Sequence, residues 1–467
     1  MNTHPHPFEI SRRTALQRLS CGFGHLALLS LMNRESSASA ATSSSAAVSP
    51  LAAKKPHFAA KAKRVIFLHM RGAPSQYDTF DRYPELEKAA RWARMRQHGE
   101  SGLWVSDWLP QLARHADDLC VLKAMHTDTP IHANGTLMLH CGHPVLPRPS
   151  LGSWVLYGLG TENQNVPGFI ALNMPSSFGG TRNYGSAFLP SSYTGTAIGR
   201  AQQSVQPGDV RNLSNADIPP AQQQRQMEFV QKLNRRRLDA APSPEIEGII
   251  QSHETAFKMQ MEFSGLMDFT KEPQHVRAAY GVDQTATRAV RWGGKTSVDV
   301  FARQCLLARR FAEAGVRFIE LNMEYWDTHT DHRRDTEALC WAVDQPIAAL
   351  FDDLKTRGLW EDTLILWGGE FGRTMSDNGK TDGTDHNPHG FTMFLAGGAV
   401  KGGYAHGQCE LGKDGSRAAE GKVHVHDLHA TLLHILGLNH EKLTHRYAGR
   451  DWRLTDVFGK VVHEILA

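Results

Sequence analysis

The chain has 467 residues, of which 41% are apolar and 21% are charged, and its formal net charge is +3. This composition is typical of a globular protein and argues against a wholly disordered or membrane-embedded chain. A net charge so close to zero gives no indication of a nucleic-acid partner. The length allows a large buried core and is compatible with one continuous α/β domain.

The first forty residues have the pattern of an export signal. The twin arginines Arg12 and Arg13 follow Ser11, a modest apolar run comes next, and residues 38–40 form an A-x-A cleavage pattern. The apolar run is too short and too interrupted for a permanent membrane anchor. Residues 1–40 are therefore predicted to be a twin-arginine signal peptide, which implies a periplasmic or secreted protein. The alternative is a cytoplasmic protein with a frayed N-terminus.

A low-complexity segment separates this signal from the predicted folded domain. Residues 41–60 are rich in Ser and Ala, and they contain too little apolar surface to pack, so they predict a linker. An α/β domain is predicted over residues 61–467. Its first elements are a strand at 64–70, a possible helix at 85–95 and a second strand at 118–125.

The middle of the chain has a different pattern. Between about 195 and 296 the sequence is rich in Gln and has helical spacing, which predicts an inserted, mainly helical segment. Strands and helices then alternate again, and this alternation favours a mostly parallel sheet that is covered on both faces. The later predicted elements are a helix at 297–316, a strand at 317–322, a helix at 335–357, a strand at 363–367, a segment at 390–398, a helix at 426–438 and a short helix at the C-terminus.

Polar clusters occur next to four of these predicted elements. They lie at 71–81, 323–332, 368–391 and 424–429, and ligands in open α/β sheets bind where strands end. Each cluster alone has a structural explanation: helix capping, solvation or a partly buried histidine. Because three separate strand ends combine carboxylate with imidazole, the set favours a site for divalent zinc, manganese or iron.

Several common catalytic motifs are absent from the sequence. There is no G-x-S-x-G elbow, no Walker loop and no G-x-G-x-x-G fingerprint after a strand, which weakens the serine-hydrolase, nucleotide-phosphate and dinucleotide interpretations. There is also no C-x-x-C pair, which excludes a zinc knuckle and a thioredoxin-like motif. Metal-assisted hydrolysis is favoured by comparison.

From about Lys63 to Leu466, the chain resembles the exported "domain of unknown function 1501" proteins of the alkaline phosphatase and sulfatase superfamily. The segments that carry the resemblance are GAPSQYDTFD, GVRFIELN with WDTHTD, TLILWGGEFGRT, DHNPHGFTMFLAGGAVKGG, HVHDLHATLLHILGL and YAGRDWRLTDVFGKVVHEIL. The resemblance implies a doubly wound, three-layer α/β/α sandwich of alkaline phosphatase type, with metal at the C-terminal edge of its sheet.

The resemblance also implies roles for individual positions. Glu370 stands where a sulfatase has a metal-binding Asp, and Phe371 stands where that residue has its His or Asn neighbour. His132 occupies the position of the sulfatase nucleophile, and it cannot become formylglycine. The paired aspartates of a sulfatase align near Arg71 and its neighbour, so Asp78 is the candidate to replace them.

The leading hypothesis is an exported, metal-dependent hydrolase of phosphate or sulfate esters, with one or two ions of zinc, manganese, iron or calcium. The predicted metal ligands are Asp327, His329, Glu370, Asp385, His386 and either His424 or His426. The residues predicted to face the substrate are His132 and Asp78, with Arg71 or Arg373 binding its anionic oxygens. A small-molecule or polysaccharide ester is the expected substrate, and neither nucleic acid nor a permanent membrane anchor is expected. The alternative is a non-catalytic exported binding or scaffolding protein that has lost the nucleophile.

Overall fold

The computed structural model describes residues 49–86, 88–89, 92–209, 219–240, 263, 265–376 and 382–467. The predicted signal peptide and residues 41–48 of the predicted linker lie outside the described residues. The chain divides into two units, one formed by 1–48 with 210–254 and the other by 49–209 with 255–467. Every strand described below belongs to the second unit.

The elements alternate along most of the described chain. The strands are β1 (Arg64–Met70), β2 (Met95–His98), β3 (Leu103–Ser106), β4 (Leu119–His126), β5 (Phe169–Leu172), β6 (Thr196–Ile198), β7 (Arg288–Val290), β8 (Gly294–Thr296), β9 (Phe318–Met323), β10 (Thr363–Gly368), β11 (Gly372–Arg373), β12 (His386–Asn387), β13 (Phe391–Ala396), β14 (Tyr404–His406), β15 (Gln408–Leu411), β16 (Ser416–Glu420), β17 (Val423–His424), β18 (His445–Tyr447) and β19 (Arg450–Trp452). The helices are α1 (His132–Cys141), α2 (Leu151–Leu159), α3 (Pro220–Ala240), α4 (Gln274–Tyr280), α5 (Val298–Glu313), α6 (His332–Thr356) and α7 (Val425–Ile435).

The central sheet is mostly parallel. Its strand order is β14-β4-β13-β10-β1-β9-β5-β6, and β17 also pairs with β4. Strand β1 runs parallel to both of its neighbours, β10 and β9, whereas β13 runs antiparallel to β10 and to β4. Because β1, β9 and β10 are parallel neighbours, the loops that follow them begin at the same edge of the sheet.

Helices cover both faces of this sheet. On one face, Phe67 of β1 lies in the same buried apolar cluster as Trp154 of α2. On the other face, the ring of Phe394 in β13 stacks on Trp367 of β10 and contacts Phe351 of α6. Successive side chains along the strands therefore enter two separate apolar layers, as parallel sheets require. The predicted doubly wound, three-layer α/β/α sandwich is confirmed.

Most elements predicted from apolar runs lie where the sequence placed them. The strand predicted at 64–70 is β1, the one at 118–125 is β4, and the one at 363–367 is β10. The helices predicted at 297–316 and 335–357 are α5 and α6. A long run with a single hydrophobic period determines the type of its secondary structure, and these elements have such runs.

The helix predicted at 85–95 is wrong. None of its described residues is helical, and Met95 instead begins β2. The backbone N–H of Ala93 donates to Asp78 at 2.8 Å, and the Trp92 ring packs edge-on against Tyr77 and His332. These tertiary contacts fix a non-helical segment, and they outweigh the helix propensity of its Ala, Glu and Arg residues.

The described end of the predicted linker packs against the domain. The backbone N–H of Lys54 donates to Leu159 O at 2.9 Å, and that of His57 donates to Gly437 O at 2.8 Å. Leu51 packs against the buried apolar cluster. The packed chain therefore begins before residue 61, which the sequence did not predict because residues 49–60 have few apolar side chains.

The predicted insertion at 195–296 extends over both units. Helix α3 lies in the first unit, and the second unit contains α4 with the short strands β6, β7 and β8. At the C-terminus, the predicted short helix is a single 3-10 turn, His463–Ile465. Among the helices that the structure describes, none combines the length and the apolar character needed to cross a bilayer.

Candidate metal centre

Loops from neighbouring strands meet at the carboxyl edge of β1, β9 and β10. Gly72, which follows β1, has φ +107°, and a Cβ atom there would lie 2.4 Å from Asp327 N. A Cβ at Gly383 would lie 1.8 Å from His329 O. Only glycine permits such close backbone approaches. These two glycines therefore let the β1 loop and the 382–387 segment pack directly against the loop that follows β9.

Three histidines converge on one carboxylate oxygen at this edge. The Nε2 atoms of His132, His329 and His386 lie 3.1, 3.0 and 3.2 Å from Asp327 Oδ1. His132 begins α1, His329 lies in the loop after β9, and His386 is brought back to the sheet edge by the pairing of β12 with β11. The Nε2 atoms of His329 and His386 are 3.0 Å apart. The cluster thus joins parts of the chain that are far apart in sequence.

Hydrogen bonds at Nδ1 fix the orientation of two of these rings. His132 Nδ1 donates to Glu370 Oε1 at 2.5 Å, and His386 Nδ1 donates to Pro130 O at 2.5 Å. With the ring proton on Nδ1, a neutral imidazole directs the Nε2 lone pair towards Asp327.

The position of Glu370 corrects its predicted role as a metal ligand. It is fully buried behind His132, and its carboxylate also accepts a hydrogen bond from Gly72 N at 3.1 Å. Burial would raise the pKa of Glu370, but the neighbouring His132 and His69 hold it well below its usual range. Glu370 is therefore an anion that orients His132.

Asp327 is also an anion. Arg373 donates to Oδ1 at 2.8 Å, and Arg291 Nη1 lies 3.1 Å from Oδ2. Burial would raise the pKa of Asp327, but the three adjacent histidines, together with the charge of Arg373, hold it far below its ordinary value. The carboxylate therefore keeps its negative charge at any physiological pH.

The pKa values of the two oriented histidines are shifted in opposite directions. Burial lowers the pKa of His132, but the adjacent carboxylates of Asp327 and Glu370 outweigh burial and raise it. The pKa of His386 is lowered, chiefly by burial and also by the charges of His132 and Arg373. A positive charge is therefore favoured between the two carboxylates, and either a proton on His132 or a metal ion supplies it.

The residues at this edge fit a divalent ion. Within the described residues, His132 Nε2 is buried and has no partner in hydrogen-bonding geometry. Two sets of donor atoms, His132 with Asp327 and His386, and His329 with Asp385 and His386, each lie within 4.8 Å of one another. Imidazole combined with carboxylate is the donor set that zinc, iron and manganese accept.

The two later histidines predicted as ligands lie elsewhere. His424 caps α7 and accepts a hydrogen bond from His426 N at 3.1 Å, and its Nε2 lies 3.3 Å from Asp128 Oδ1. The His426 ring stacks on Phe458 at 5.1 Å. Among the contacts of the described residues, none joins either histidine to Asp327. The geometry therefore does not support their predicted role as ligands.

Asp78 and Arg373 do not face a substrate as predicted. Asp78 is fully buried, and it binds Ser75 Oγ at 2.6 Å and His332 Nε2 at 2.7 Å. Arg373 is fully buried as well, and besides Asp327 it donates to the backbone and the side chain of Thr384. Both residues hold the loops together, because a buried charged group needs fixed partners.

Arg71 lies one aromatic ring away from the cluster. It pairs with Glu324, donates to Ser177 Oγ at 2.7 Å and lies 4.0 Å above the Phe178 ring. Phe178 stacks on His132 at 5.1 Å. Arg71 therefore supports the ring that covers His132 and makes no direct contact with the histidine.

The family model described as "Protein of unknown function (DUF1501)" matches residues 62–466. The chain belongs to this family. The family resemblance predicted from the sequence is thereby confirmed. A comparison with curated proteins finds no match.

Solved structures similar to this DUF1501 protein include members of the predicted superfamily. The lipoteichoic acid synthase LtaP from Listeria monocytogenes is 9% identical, with a TM-score of 0.40, over 86% of this chain and 78% of that one. The PsFucS1 sulfatase from Pseudoalteromonas sp. is 13% identical, with a TM-score of 0.38, over 81% and 68%. An alkaline phosphatase superfamily protein from Vibrio parahaemolyticus is 9% identical, with a TM-score of 0.37, over 83% and 70%. Likeness at these scores supports no conclusion about activity.

A cavity of about 700 Å³ opens beside His386, one of the three clustered histidines of this DUF1501 protein. Asp385, His386 and Asp128 are among the residues of its wall, which also includes the basic side chains of Lys413 and Arg417. Both basic side chains are exposed. The wall therefore combines these two basic side chains with His386 and with the carboxylates of Asp128, Asp385 and Asp414.

Three residues around the centre were not predicted from the sequence. Arg291 lies in the segment predicted as a helical insertion, so nothing connected it with Asp327. His69 and Glu320 are polar residues inside the apolar strands RVIFLHM and RFIELN. A charged or imidazole side chain within a buried strand is the signal that would have identified the last two, because such a group needs a buried partner.

Proposed function

We propose that this DUF1501 protein is an exported, metal-dependent hydrolase of phosphate or sulfate esters. The observation that carries the proposal is the convergence of three histidine Nε2 atoms on Asp327 Oδ1, all within 3.2 Å. His132, Asp327 and His386 would hold one divalent ion of zinc, manganese, iron or calcium, and His329 with Asp385 would complete this site or hold a second ion. When bound, such an ion polarises the ester oxygen and lowers the pKa of water.

The chain's own groups would bind and orient the ester. Lys413 and Arg417 lie in the wall of the cavity that also contains Asp385 and His386, and they would attract an anionic phosphate or sulfate group. Glu370 holds the His132 ring in place through Nδ1. The cavity, about 700 Å³ in volume, accommodates a small-molecule ester or one end of a polysaccharide. Export through a twin-arginine signal at residues 1–40 is part of the same proposal.

A non-catalytic binding or scaffolding role is the second candidate, and one observation favours it. His132, at the position of the nucleophile, is only 6% exposed, and its ring lies between those of Phe178 and Phe371. A side chain packed in this way has little freedom to attack a substrate. A bound ion would then hold an anionic ligand without turnover.

The experiment that separates these candidates loads metal-stripped full-length protein with zinc, manganese, iron or calcium. Bound metal is measured by elemental analysis, and hydrolysis is measured on phosphate monoesters, phosphate diesters and sulfate esters. We expect metal binding and turnover in the wild type, and in His386→Gln we expect the loss of turnover and of the metal bound at the sheet edge. The exposed histidine in His463→Gln is the matched control, and this variant should retain both.

Three results would count against the hydrolase. Absence of every metal from the loaded wild type would remove the metal centre altogether. Metal that is lost in His386→Gln, without turnover of any ester by the wild type, would favour the binding role. Turnover that His386→Gln does not change would identify a contaminating enzyme or a different site.

A further inference from the structure

A second cluster of titratable side chains lies inside the apolar layer between the sheet and α1. His69 of β1, Glu320 of β9 and His140 of α1 are 1%, 1% and 3% exposed. Phe67 pairs in register with Glu320, and His69 pairs with Asn322, so these side chains share the face of the sheet that contains the apolar cluster. The cluster is separate from the cavity beside Asp327, because its donors come from regular elements in the interior.

One ring nitrogen in this interior cluster has an unused lone pair. His69 Nδ1 bonds to Asn322 Oδ1 at 2.8 Å, and the amide nitrogen of Asn322 donates to Leu172 O at 3.1 Å. Asn322 Oδ1 is therefore the acceptor, and the proton of a neutral His69 ring lies on Nδ1. His69 Nε2 is left with a lone pair, and it has no hydrogen-bond partner in the described chain.

His140 and Glu320 present two acceptors to each other. His140 Nδ1 must donate to Thr136 O, 2.8 Å away, because a carbonyl oxygen can only accept. In a neutral ring, His140 Nε2 then carries a lone pair that faces Glu320 Oε1 at 2.8 Å. The other carboxylate oxygen, Glu320 Oε2, is buried without a hydrogen-bond partner among the described residues. Only a cation, either a proton or a metal ion, makes this contact favourable.

We propose that His69 Nε2, His140 Nε2 and the Glu320 carboxylate bind a divalent cation of the zinc class inside the core. One donor atom from each of the three residues lies within 4.8 Å of the other two. In a tetrahedral site, metal–ligand bonds of about 2.0 to 2.1 Å place donors about 3.4 Å apart, so the most distant pair must move closer by at most about 1.4 Å to complete the site. Two imidazoles with a carboxylate favour zinc, iron or manganese over calcium or magnesium.

A nearby carboxylate makes the site more favourable for a cation. Glu370 Oε2 lies 3.6 Å from His69 Nε2 and is the nearest candidate for a fourth ligand. The interior void that borders His140 and Glu320 has no room for a water molecule, so water from that side cannot satisfy the unpaired atoms. The buried Glu370 carboxylate and one donor atom from each of the three residues thus lie close together in the interior.

The interior ion has a structural consequence for the sheet edge. The same Glu370 carboxylate binds His132 Nδ1, so a cation beside His69 would hold Glu370, and through it His132, in place. The interior ion does not depend on the proposed hydrolase activity. It would bind even if the sheet edge held no metal.

The test counts zinc ions in stripped full-length protein that has been reloaded with zinc. We expect Glu320→Gln to bind one zinc per chain fewer than the wild type. The matched control is Glu361→Gln, an exposed carboxylate, which should bind as many as the wild type. Equal zinc content in Glu320→Gln and the wild type would overturn the proposal, and it would show that a proton bridges His140 and Glu320.

A second variant covers the case in which Glu320→Gln fails to fold. The double variant Asp327→Asn with His386→Gln removes a donor from both sets at the sheet edge and leaves the interior cluster intact. We expect it to retain one zinc per chain, and its cobalt form should have the visible absorption of a tetrahedral site. A folded double variant without zinc would refute the interior site. A double variant that retains zinc but hydrolyses no ester would support the interior site independently of the proposed activity.

Discussion

The metal centre at the sheet edge and the cluster in the interior combine the same chemical groups in different surroundings. At the edge, Asp327 is reached by three histidines from loops and from the ends of elements, and a cavity adjoins them. In the interior, His69, His140 and Glu320 come from two strands and a helix and are almost completely buried. Loops with access to solvent permit ligand exchange and chemistry, whereas groups in regular elements can hold an ion only as part of the fold.

Among the substitutions that distinguish the two regions, replacement of Asp327 should have the largest effect. In Asp327→Asn we expect zinc affinity at the edge to fall by at least about 100-fold, because a direct ligand matters more than its outer partners. Arg373 and Arg291 also lose a buried anion, so the free energy of unfolding should fall by about 3–5 kcal/mol. Zinc titration calorimetry and urea unfolding measure the two effects.

The control for that substitution is Asp362→Asn. Asp362 pairs with Lys63, and the two side chains are 39% and 53% exposed. An exposed ion pair contributes about 0–1 kcal/mol, so neither stability nor zinc affinity should change by much more than that. If Asp327→Asn lowered zinc binding no more than this control does, the edge cluster would be an ion-pair network without a metal.

Phe351→Ala tests whether a lower free energy of unfolding is by itself enough to reduce the zinc content of the protein. Phe351 is fully buried in the apolar layer on the side of the sheet where α6 packs. Its truncation should lower the free energy of unfolding by about 3–5 kcal/mol and leave zinc content unchanged under native conditions. Urea unfolding and elemental analysis measure the two quantities. If this variant also lost zinc, the zinc content would depend only on the stability of the fold and would say nothing about a particular site.

Glu370→Gln tests the connection between the two regions. The amide keeps the size of the side chain but removes the charge that holds His132 Nδ1. Loss of such an outer partner lowers metal affinity by about 10–100-fold, which is about 1.4–2.8 kcal/mol. Zinc titration of the edge site measures this loss. An unchanged affinity at the edge would show that the Phe178 and Phe371 rings suffice to orient His132.

The sequence predicted the elements and the meeting of the strand-end loops, but it could not predict which way each side chain points. Asp327, His329, Asp385 and His386 meet because parallel strands bring their loops to one edge. Glu370 follows a strand in the same way, yet it is directed back behind His132, and no local pattern specifies that direction. His69 and Glu320 were passed over because each lies within a run that reads as an apolar strand.

The smallest predicted effect concerns a buried carboxylate with a different kind of partner, Asp344 of α6. It is 5% exposed and accepts hydrogen bonds from the backbone N–H groups of Gln111 and Leu112, at distances down to 2.7 Å. Burial raises its pKa to about 6, although the hydrogen bonds to Leu112 and Gln111 oppose the rise. The partners of Asp344 are backbone N–H groups, whereas Glu320 faces an imidazole.

The sign of the pH dependence of Asp344 follows from the raised pKa. The folded chain binds the proton more tightly than the unfolded chain, so the stabilisation is present below about pH 4 and is lost as the pH rises through about 6. Relative to Asp344→Asn, the wild type should lose on the order of 2 kcal/mol of unfolding free energy between pH 4 and pH 8. Urea unfolding of both proteins across this range measures the loss. Identical pH profiles would mean that the backbone N–H groups of Gln111 and Leu112 offset the effect of burial, so that the pKa of Asp344 is not raised.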